Sequence, residues 1–370
     1  MKKLAILGAS YLQLPLVEKA KQMEIETHCF AWDNDEAVCK HVADFFYPIS
    51  VLEKELIYEA CRNIGIDGIT TIATDICIPT ISYVAEKVGL VGNSYQTALA
   101  STNKALMRAT FLEHQINSPR FTAVQRYEAE TFERFQFPLI VKPTDRSGSR
   151  GVTKVYDHAG LEEAILGAAS ESIEKKAIVE EFIDGSEISV ECISHNGQHF
   201  LLAITDKITT GEPHFVELQH HQPSLFSKET QAAITELTFR ALDALKIRFG
   251  ASHSEFKIDK HGKITVIEIG ARMGGDFIGS HLVRLSTGYD FVKGVVDVAL
   301  NQFENPVLND QKFSGVYFLS KETENLLPYF LRDNLFDVEK KIQKIQFQPI
   351  KSSNDRSGFL IYQSEQRVVL

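Results

Sequence analysis

No apolar run in the 370-residue sequence approaches the ~20 residues a membrane helix needs, so no membrane span is expected. Positive charge is also short. Lys and Arg number 39 against 49 Asp and Glu, a net charge of -10, whereas a nucleic-acid surface needs a basic face. The five cysteines, Cys29, Cys39, Cys61, Cys77 and Cys192, are odd in number and form no C-x-x-C pair. That excludes a disulfide scaffold or a paired-cysteine zinc site and fits free thiols in a reducing cytoplasm. The opening MKKLAILGAS has two lysines, but its apolar run is too short for a secretory leader and no small-residue cleavage site follows, so it reads as a first strand. The P-loop pattern G-x-x-x-x-G-K-[ST] is missing. Gly8 and Asp33 invite a dinucleotide reading, but Ser10 and Gln13 stand where its second and third glycines belong. No Ser-His-Asp or Cys-His signature points to a covalent nucleophile.

What is present begins with alternation. Strands at 4–8, 26–32 and 68–74 alternate with helices Leu12–Met23, Leu52–Ile64 and Pro79–Val88, which implies a parallel α/β unit over 1–100. Ser101–Gln115 reads as one helix capped by Ser101 or Thr102, ended by Asn117-Ser118-Pro119. Residues 120–185 read as a small α/β unit. Residues 186–300 read as a larger antiparallel sheet with helices Lys228–Leu245 and Tyr289–Leu300, and 310–370 as a separate β-rich appendix with one helix.

The most informative stretch is Phe137–Val152, FPLIVKPTDRSGSRGV. A buried strand delivers Lys142 to a cationic loop holding Ser147, Gly148, Ser149 and Gly151, a composition suited to phosphate. Downstream, Ala177–Glu187 (AIVEEFIDGSE) runs a β-branched strand into acids and a turn. Main-chain groups around Phe182–Ile183 could read adenine there, with Glu180 taking the exocyclic amine and Glu187 the ribose; adjacent glutamates such as Glu180 and Glu181 are usually a solvated face, and taken alone this stretch favours that reading.

Two strands then flank Asp259-Lys260-His261-Gly262. With an even-numbered loop, 258 faces 263, 255 faces 266 and 253 faces 268. Glu255, Glu268 and His253 then share one face, the two carboxylates being diagonal neighbours roughly 7–8 Å apart. An odd loop would put them on opposite faces. Glu268 lies in the apolar run Ile264–Ile269, where a carboxylate needs a partner; two such carboxylates suit Mg²⁺ that also holds a triphosphate. The turn GARMGGD (Gly270–Asp276) follows, with Arg272 placed to clamp a carboxylate or acyl-phosphate and Gly274 and Gly275 leaving room for substrate.

In order and spacing these motifs resemble the ATP-grasp superfamily of ADP-forming carboxylate–amine (or carboxylate–thiol) ligases, in the manner of L-amino-acid ligases and carbamoyl-phosphate-synthase-like members. The resemblance covers residues ~100–300, and 1–100 resembles the α/β domain preceding the grasp. It implies an α/β and α+β chain. A pre-grasp domain would occupy 1–100, a two-lobed grasp domain 101–300 with its lid at about 120–185, and a small β-rich subdomain 301–370. It further implies ATP and Mg²⁺ (or Mn²⁺) as cofactors. Lys104 and Lys142 match the two nucleotide lysines, and Gly148–Gly151 the lid loop over the phosphates. Glu180, Ile183 and Glu187 match the adenine–hinge–ribose series, Glu255 and Glu268 the metal carboxylates, and Arg272 the arginine at the transferred phosphate. One departure is Gly270, where the family often has Asn.

The loop Thr205–Pro223 resembles the substrate-facing loop of amino-acid ligases, with Lys207 placed for phosphate and Glu217, His220 and His221 as candidates for gripping an amine or taking its proton. A solvated loop with incidental histidines is the competing reading. The expected activity joins a carboxylate, first choice an amino acid, to an amine through an acyl-phosphate. Rivals are a bicarbonate- or formate-activating enzyme of the purine-biosynthesis type and a non-catalytic ATP-binding protein. A biotin-dependent form is disfavoured, since no Met-Lys-Met occurs. Expected partners are small-molecule carboxylates and amines, with neither nucleic acid nor membrane, and the first domain's surfaces are compatible with a homodimer.

Overall fold

The computed structural model describes residues 1–146, 148, 150–344 and 346–370. Ser147 and Ser149, expected at the phosphate loop, lie outside the described residues.

Three sheets organise the described residues. The first contains β1 (Lys3–Leu7), β2 (Glu26–Phe30), β3 (Phe45–Tyr47) and β4 (Gly68–Thr70), all parallel in the order β3-β2-β1-β4. The short strand β3 had no alternating signal in the sequence. Its carboxyl ends, at Gly8, Ala31 and Ala73, face the rest of the molecule across the cleft described below.

The lid sheet is antiparallel: β5 (Phe121–Val124), β6 (Leu139–Pro143), β7 (Thr153–Val155) and β8 (Ala177–Glu181), in the order β5-β8-β6-β7. Leu139, Val141 and Val179 pack on helix Leu161–Glu171 through Leu161 and Ile165, all fully buried.

The third sheet has eight antiparallel strands: β9 (Ser186–His195), β10 (Gln198–Thr209), β11 (Glu217–Gln222), β12 (Gly250–Ile258), β13 (Ile264–Gly270), β14 (Phe313–Leu319), β15 (Asp337–Ile342) and β16 (Gly358–Ser364). Their order is β13-β12-β9-β10-β11-β14-β16-β15. The C-terminal strands thus extend this sheet, through the β11–β14 pairing of His220 with Val316, where the sequence suggested a separate appendix. Strand β9 is covered on both faces. Ile188, Val190 and Cys192 join the core under helix Lys228–Ala244, while Glu191 on the opposite face is also fully buried. All five cysteines are buried and unbridged.

Two local readings change. The single helix expected over 101–115 is two, Tyr95–Thr102 and Lys104–Glu113. The break is Asn103, extended at φ -107° and ψ 113°, whose side-chain oxygen accepts from the N–H groups of Ala105 and Leu106. The true cap therefore sits next to Lys104 and fixes that lysine at a helix start.

The β12–β13 hairpin also has a different register. Ile258 faces Ile264, so five residues form the loop, the odd case expected to separate the two glutamates. A β-bulge repairs the parity. Phe256 faces Val266 but Glu255 faces Glu268, leaving Ile267 as the extra residue. Odd loop and bulge cancel, and the carboxylates become directly opposed rather than diagonal. The bulge frees the Ile267 carbonyl, which accepts a hydrogen bond at 2.5 Å from Nη2 of the fully buried Arg108.

Candidate active site

A cleft of about 830 Å³ lies where the three sheets meet. Lys142, Glu180 and Gly148 line it from the lid, Glu255, Glu268 and Lys207 from the large sheet, and Asp75 and Trp32 from the first domain.

Strand β6 carries Lys142 on the same lid face as Glu180, because Ile140 faces Glu180 across the β6–β8 pairing and Lys142 is two residues on. Lys142 Nζ lies 2.7 Å from Glu180 Oε2, and Arg108 Nε lies 2.7 Å from Glu180 Oε1. Two buried cations thus share one carboxylate. Burial pushes the Glu180 pKa up, but Arg108 and Lys142 outweigh it and hold the group below the ordinary glutamate range. Lys142, sharing its counter-charge with Arg108, is pulled below the usual lysine range, mainly by burial. The triad keeps a net positive charge, which a phosphate would complete. The sequence had assigned Glu180 to adenine; in this arrangement its carboxylate is engaged by Arg108 and Lys142.

At the hinge, the Phe182 N–H is committed to the Pro138 carbonyl at 3.0 Å. Among the described residues no hydrogen bond engages the Ile183 N–H, which leaves that donor for a ligand. Glu181 turns to the lid edge, where Oε1 accepts from the Gln136 N–H at 3.1 Å. Gly148 and Gly151 both hold positive φ, 72° and 67°, in the loop before β7.

On the large sheet, strand register builds a charged row facing the cleft. Lys257, Glu187, Lys207 and His220 stand side by side on β12, β9, β10 and β11. Lys257 lies 3.0 Å from Glu187. Lys207 donates to Glu255 and lies 3.5 Å from Glu217. Burial opposes the Lys207 charge, but Glu255, Glu217 and Glu187 raise its pKa well above the usual lysine value. Glu268 accepts from Lys104 Nζ at 2.9 Å, and the same ammonium donates to the Arg146 carbonyl at 2.7 Å.

Glu255 and Glu268 are therefore opposed hard-oxygen donors; Glu268 is held by Lys104, and Glu255 by Lys207 with His253 Nε2 at 3.4 Å. Among the described residues no group of three or more His, Cys, Asp and Glu forms a self-sufficient cage. Mg²⁺ commonly takes one or two carboxylates and completes its shell with phosphate and water, so this pair fits it.

The turn after β13 is held from the first domain. Arg272 donates from Nε and Nη2 to the two oxygens of Asp75, both at 2.8 Å. Burial works against each charge, yet the pairing raises the Arg272 pKa and lowers that of Asp75. The pair also accounts for Gly270. A Cβ there would stand 2.6 Å from Asp75 Oδ1, so the Asp75 carboxylate occupies the space an Asn side chain would need. Gly274 is equally constrained. Its N–H donates to Glu191 Oε2 at 3.0 Å, and a Cβ would come within 2.7 Å of Glu191 and His253. Gly275 lines the cleft beside them.

His220 and His221 are both buried but face opposite ways. His221 is hydrogen-bonded to the Tyr362 hydroxyl at 2.8 Å, away from the cleft, while His220 lines it. Burial lowers the His220 pKa, which keeps its imidazole neutral. Asp75, Glu191 and Arg356 carried no motif in the sequence, because each acts on a residue 80 or more positions away in the chain. Asp75 merely follows the 68–74 stretch that reads as a strand.

Residues 135–280 match the ATP-grasp domain family. The alanine–anticapsin ligase of Bacillus subtilis (strain 168) is 29% identical over 288 residues, which cover 68% of this chain and 60% of that ligase. The match thus spans less than two thirds of the relative's length. Among solved structures, the L-amino acid ligase of Bacillus licheniformis superposes with a TM-score of 0.80 at 23% identity, covering 99% of this chain and 94% of that one. The N5-carboxyaminoimidazole synthetase of Staphylococcus aureus complexed with ADP also superposes at 0.80, with 16% identity and coverage of 99% and 94%. These likenesses show a shared fold.

Proposed function

Since residues 135–280 are an ATP-grasp domain and the whole chain carries the fold of that superfamily, we propose that it is an ADP-forming ligase joining an amino-acid carboxylate to an amine. The observation that carries this reading is the single cleft in which the Asp75-held Arg272 faces the opposed Glu255 and Glu268.

In this reading ATP lies between lid and large sheet. The Ile183 N–H reads adenine, Glu187 meets ribose, and Lys104 and Lys142 meet phosphates. Glu255 and Glu268 would hold Mg²⁺, which when bound offsets triphosphate charge. The substrate carboxylate oxygen attacks the γ-phosphorus and ADP leaves. Lys142 and Arg272 stabilise the charge of that transfer, a task of positioning and electrostatics. The lid loop shields the acyl-phosphate from water. The amine nitrogen then attacks the acyl carbon and phosphate departs, with the neutral His220 placed to take the amine's proton.

Product analysis tests this directly. Mg²⁺-ATP incubated with pooled amino acids is expected to yield ADP and phosphate. Turnover with bicarbonate alone would move the protein to the carboxylase-like class, and AMP with pyrophosphate would overturn the acyl-phosphate route.

Asp75 acts through Arg272 and not on substrate. Asp75→Asn keeps the volume and one acceptor but loses the bidentate ion pair, so the guanidinium shifts. A loss of about 10²-fold in kcat/KM is expected from such misplacement. It should fall mainly on the acid substrate and leave nucleotide affinity near wild type. Equal weakening of nucleotide binding would show a general structural role instead.

A further inference from the structure

Most carboxylates around the cleft are matched to a guanidinium or an ammonium. Asp75 has Arg272, Glu180 has Arg108 and Lys142, and Asp276 and Glu217 share Arg356. Glu191 on β9 is different. It is fully buried, yet among the described residues no lysine or arginine lies within ion-pair distance of it. A buried carboxylate is costly unless its oxygens are engaged. Here the two oxygens go to two different elements. Oε1 meets Nδ1 of His253, its cross-strand neighbour on β12. Oε2 accepts from the Gly274 N–H at 3.0 Å, in the turn that carries Arg272.

Each partner passes the restraint on to a group of the site. Glu255 is two residues along β12 from His253, on the same face of the strand. His253 Nε2 lies 3.4 Å from Glu255 Oε1, and Lys207 donates to that same oxygen. Among the described residues no hydrogen bond reaches Glu255 Oε2, which leaves that oxygen for a metal. On the other side, the Met273 carbonyl accepts from the Ala73 N–H at 3.1 Å. The backbone after Arg272 is thus pinned at Met273 from the first domain and at Gly274 from β9.

We infer that Glu191 is a positioning residue that joins Glu255, through His253, and the Arg272 turn, through the Gly274 N–H, into one unit. It sets the metal carboxylate against the arginine at the transferred phosphate, although it touches neither ligand. This rests on the ligase reading above.

The test measures metal affinity without turnover. Mn²⁺ serves as a probe visible by electron paramagnetic resonance, titrated onto the protein with a non-hydrolysable ATP analogue. The acid substrate is followed separately at saturating Mg²⁺, as hydroxamate formed from amino acids in excess hydroxylamine. An asparagine amide nitrogen superposes on histidine Nδ1, so His253→Asn keeps the donor to Glu191 and removes the one to Glu255. It should weaken Mn²⁺ binding by about 10–100-fold, the range for an outer-shell partner of a metal ligand, and leave KM for the acid near wild type. Glu191→Ala should lose on both, in Mn²⁺ affinity and in kcat/KM for the acid. Glu191→Gln should recover most of that loss. Its amide oxygen accepts from the Gly274 N–H, and its NH₂ meets Nδ1 of a ring that keeps its Nε2 proton for Glu255. Affinity for the analogue without metal should stay constant in all three variants.

His253→Asn that binds Mn²⁺ like wild type overturns the inference. So does Glu191→Ala that impairs only one of the two readouts, Glu191→Gln as defective as Glu191→Ala, or metal-free analogue affinity that falls in step with Mn²⁺ affinity, which would show a general packing role. If Glu191→Ala does not fold, His253→Asn and Glu191→Gln decide. Wild-type protein that forms neither ADP nor hydroxamate with any amino acid removes the ligase reading and the acid half of the inference, while the Mn²⁺ titration, which needs no turnover, still decides the metal half.

Discussion

Glu268→Gln is expected to fold normally and to lose at least about 10²–10³-fold in kcat, the scale on which removal of a single electrostatic stabiliser acts. Gln preserves volume, and the oxygen facing Lys104 survives, so the Lys104 ammonium keeps a neutral acceptor and the Arg146 carbonyl at 2.7 Å. What disappears is one of the two opposed negative charges. The remaining Glu255, held by Lys207, must then serve the metal alone, so a metal–triphosphate complex meets one carboxylate charge across the hairpin instead of two. Two readouts separate this from a packing defect: the thermal midpoint should stay near wild type, and the Mg²⁺ concentration needed for half-maximal turnover should rise. Normal turnover at ordinary Mg²⁺ would remove Glu268 from the metal site.

That prediction depends on a register the sequence shows only in part. The Ile264–Ile269 run and the turn at 259–262 are legible as a hairpin, and the two glutamates as a pair. The loop length and the bulge are not, because a bulge is set by what the extra residue meets elsewhere. Here it is Arg108, whose guanidinium takes the Ile267 carbonyl from a helix about 160 residues earlier. The same limit hides Asp75. Its role is written in the geometry between the end of β4 and the turn after β13, and no spacing rule links positions 75 and 272. The legible features were local: alternating strands in the first domain, the glycine loop after Lys142, and the acids around Phe182. The 310–370 segment carries no motif because its contribution is one arginine aimed at two carboxylates through the sheet extension. Read alone, Arg356 is an ordinary surface cation.

Glu180→Ala should destabilise the fold far more than Lys142→Ala, although both break the same 2.7 Å contact. Removing Lys142 leaves Glu180 paired with Arg108, so the buried charge stays compensated. The cost then appears in nucleotide binding, about 1.5–3 kcal/mol for a lost charge-assisted contact. Removing Glu180 leaves Arg108, fully buried, and Lys142, nearly so, facing one another without a counter-charge. Breaking a buried pair in that sense costs roughly 3–5 kcal/mol. Acid titration gives an independent check with a definite sign. Because the folded pKa of Glu180 lies below its unfolded value, its stabilisation is complete above the ordinary glutamate pKa of about 4.3 and is lost as pH falls through the lowered folded value. The stability gap between wild type and Glu180→Ala, measured by urea unfolding, should therefore be constant from neutral pH to about 5 and narrow below it. A gap that holds constant well below pH 4, or a Lys142→Ala variant as unstable as Glu180→Ala, would show that Arg108 and Lys142 do not share this carboxylate.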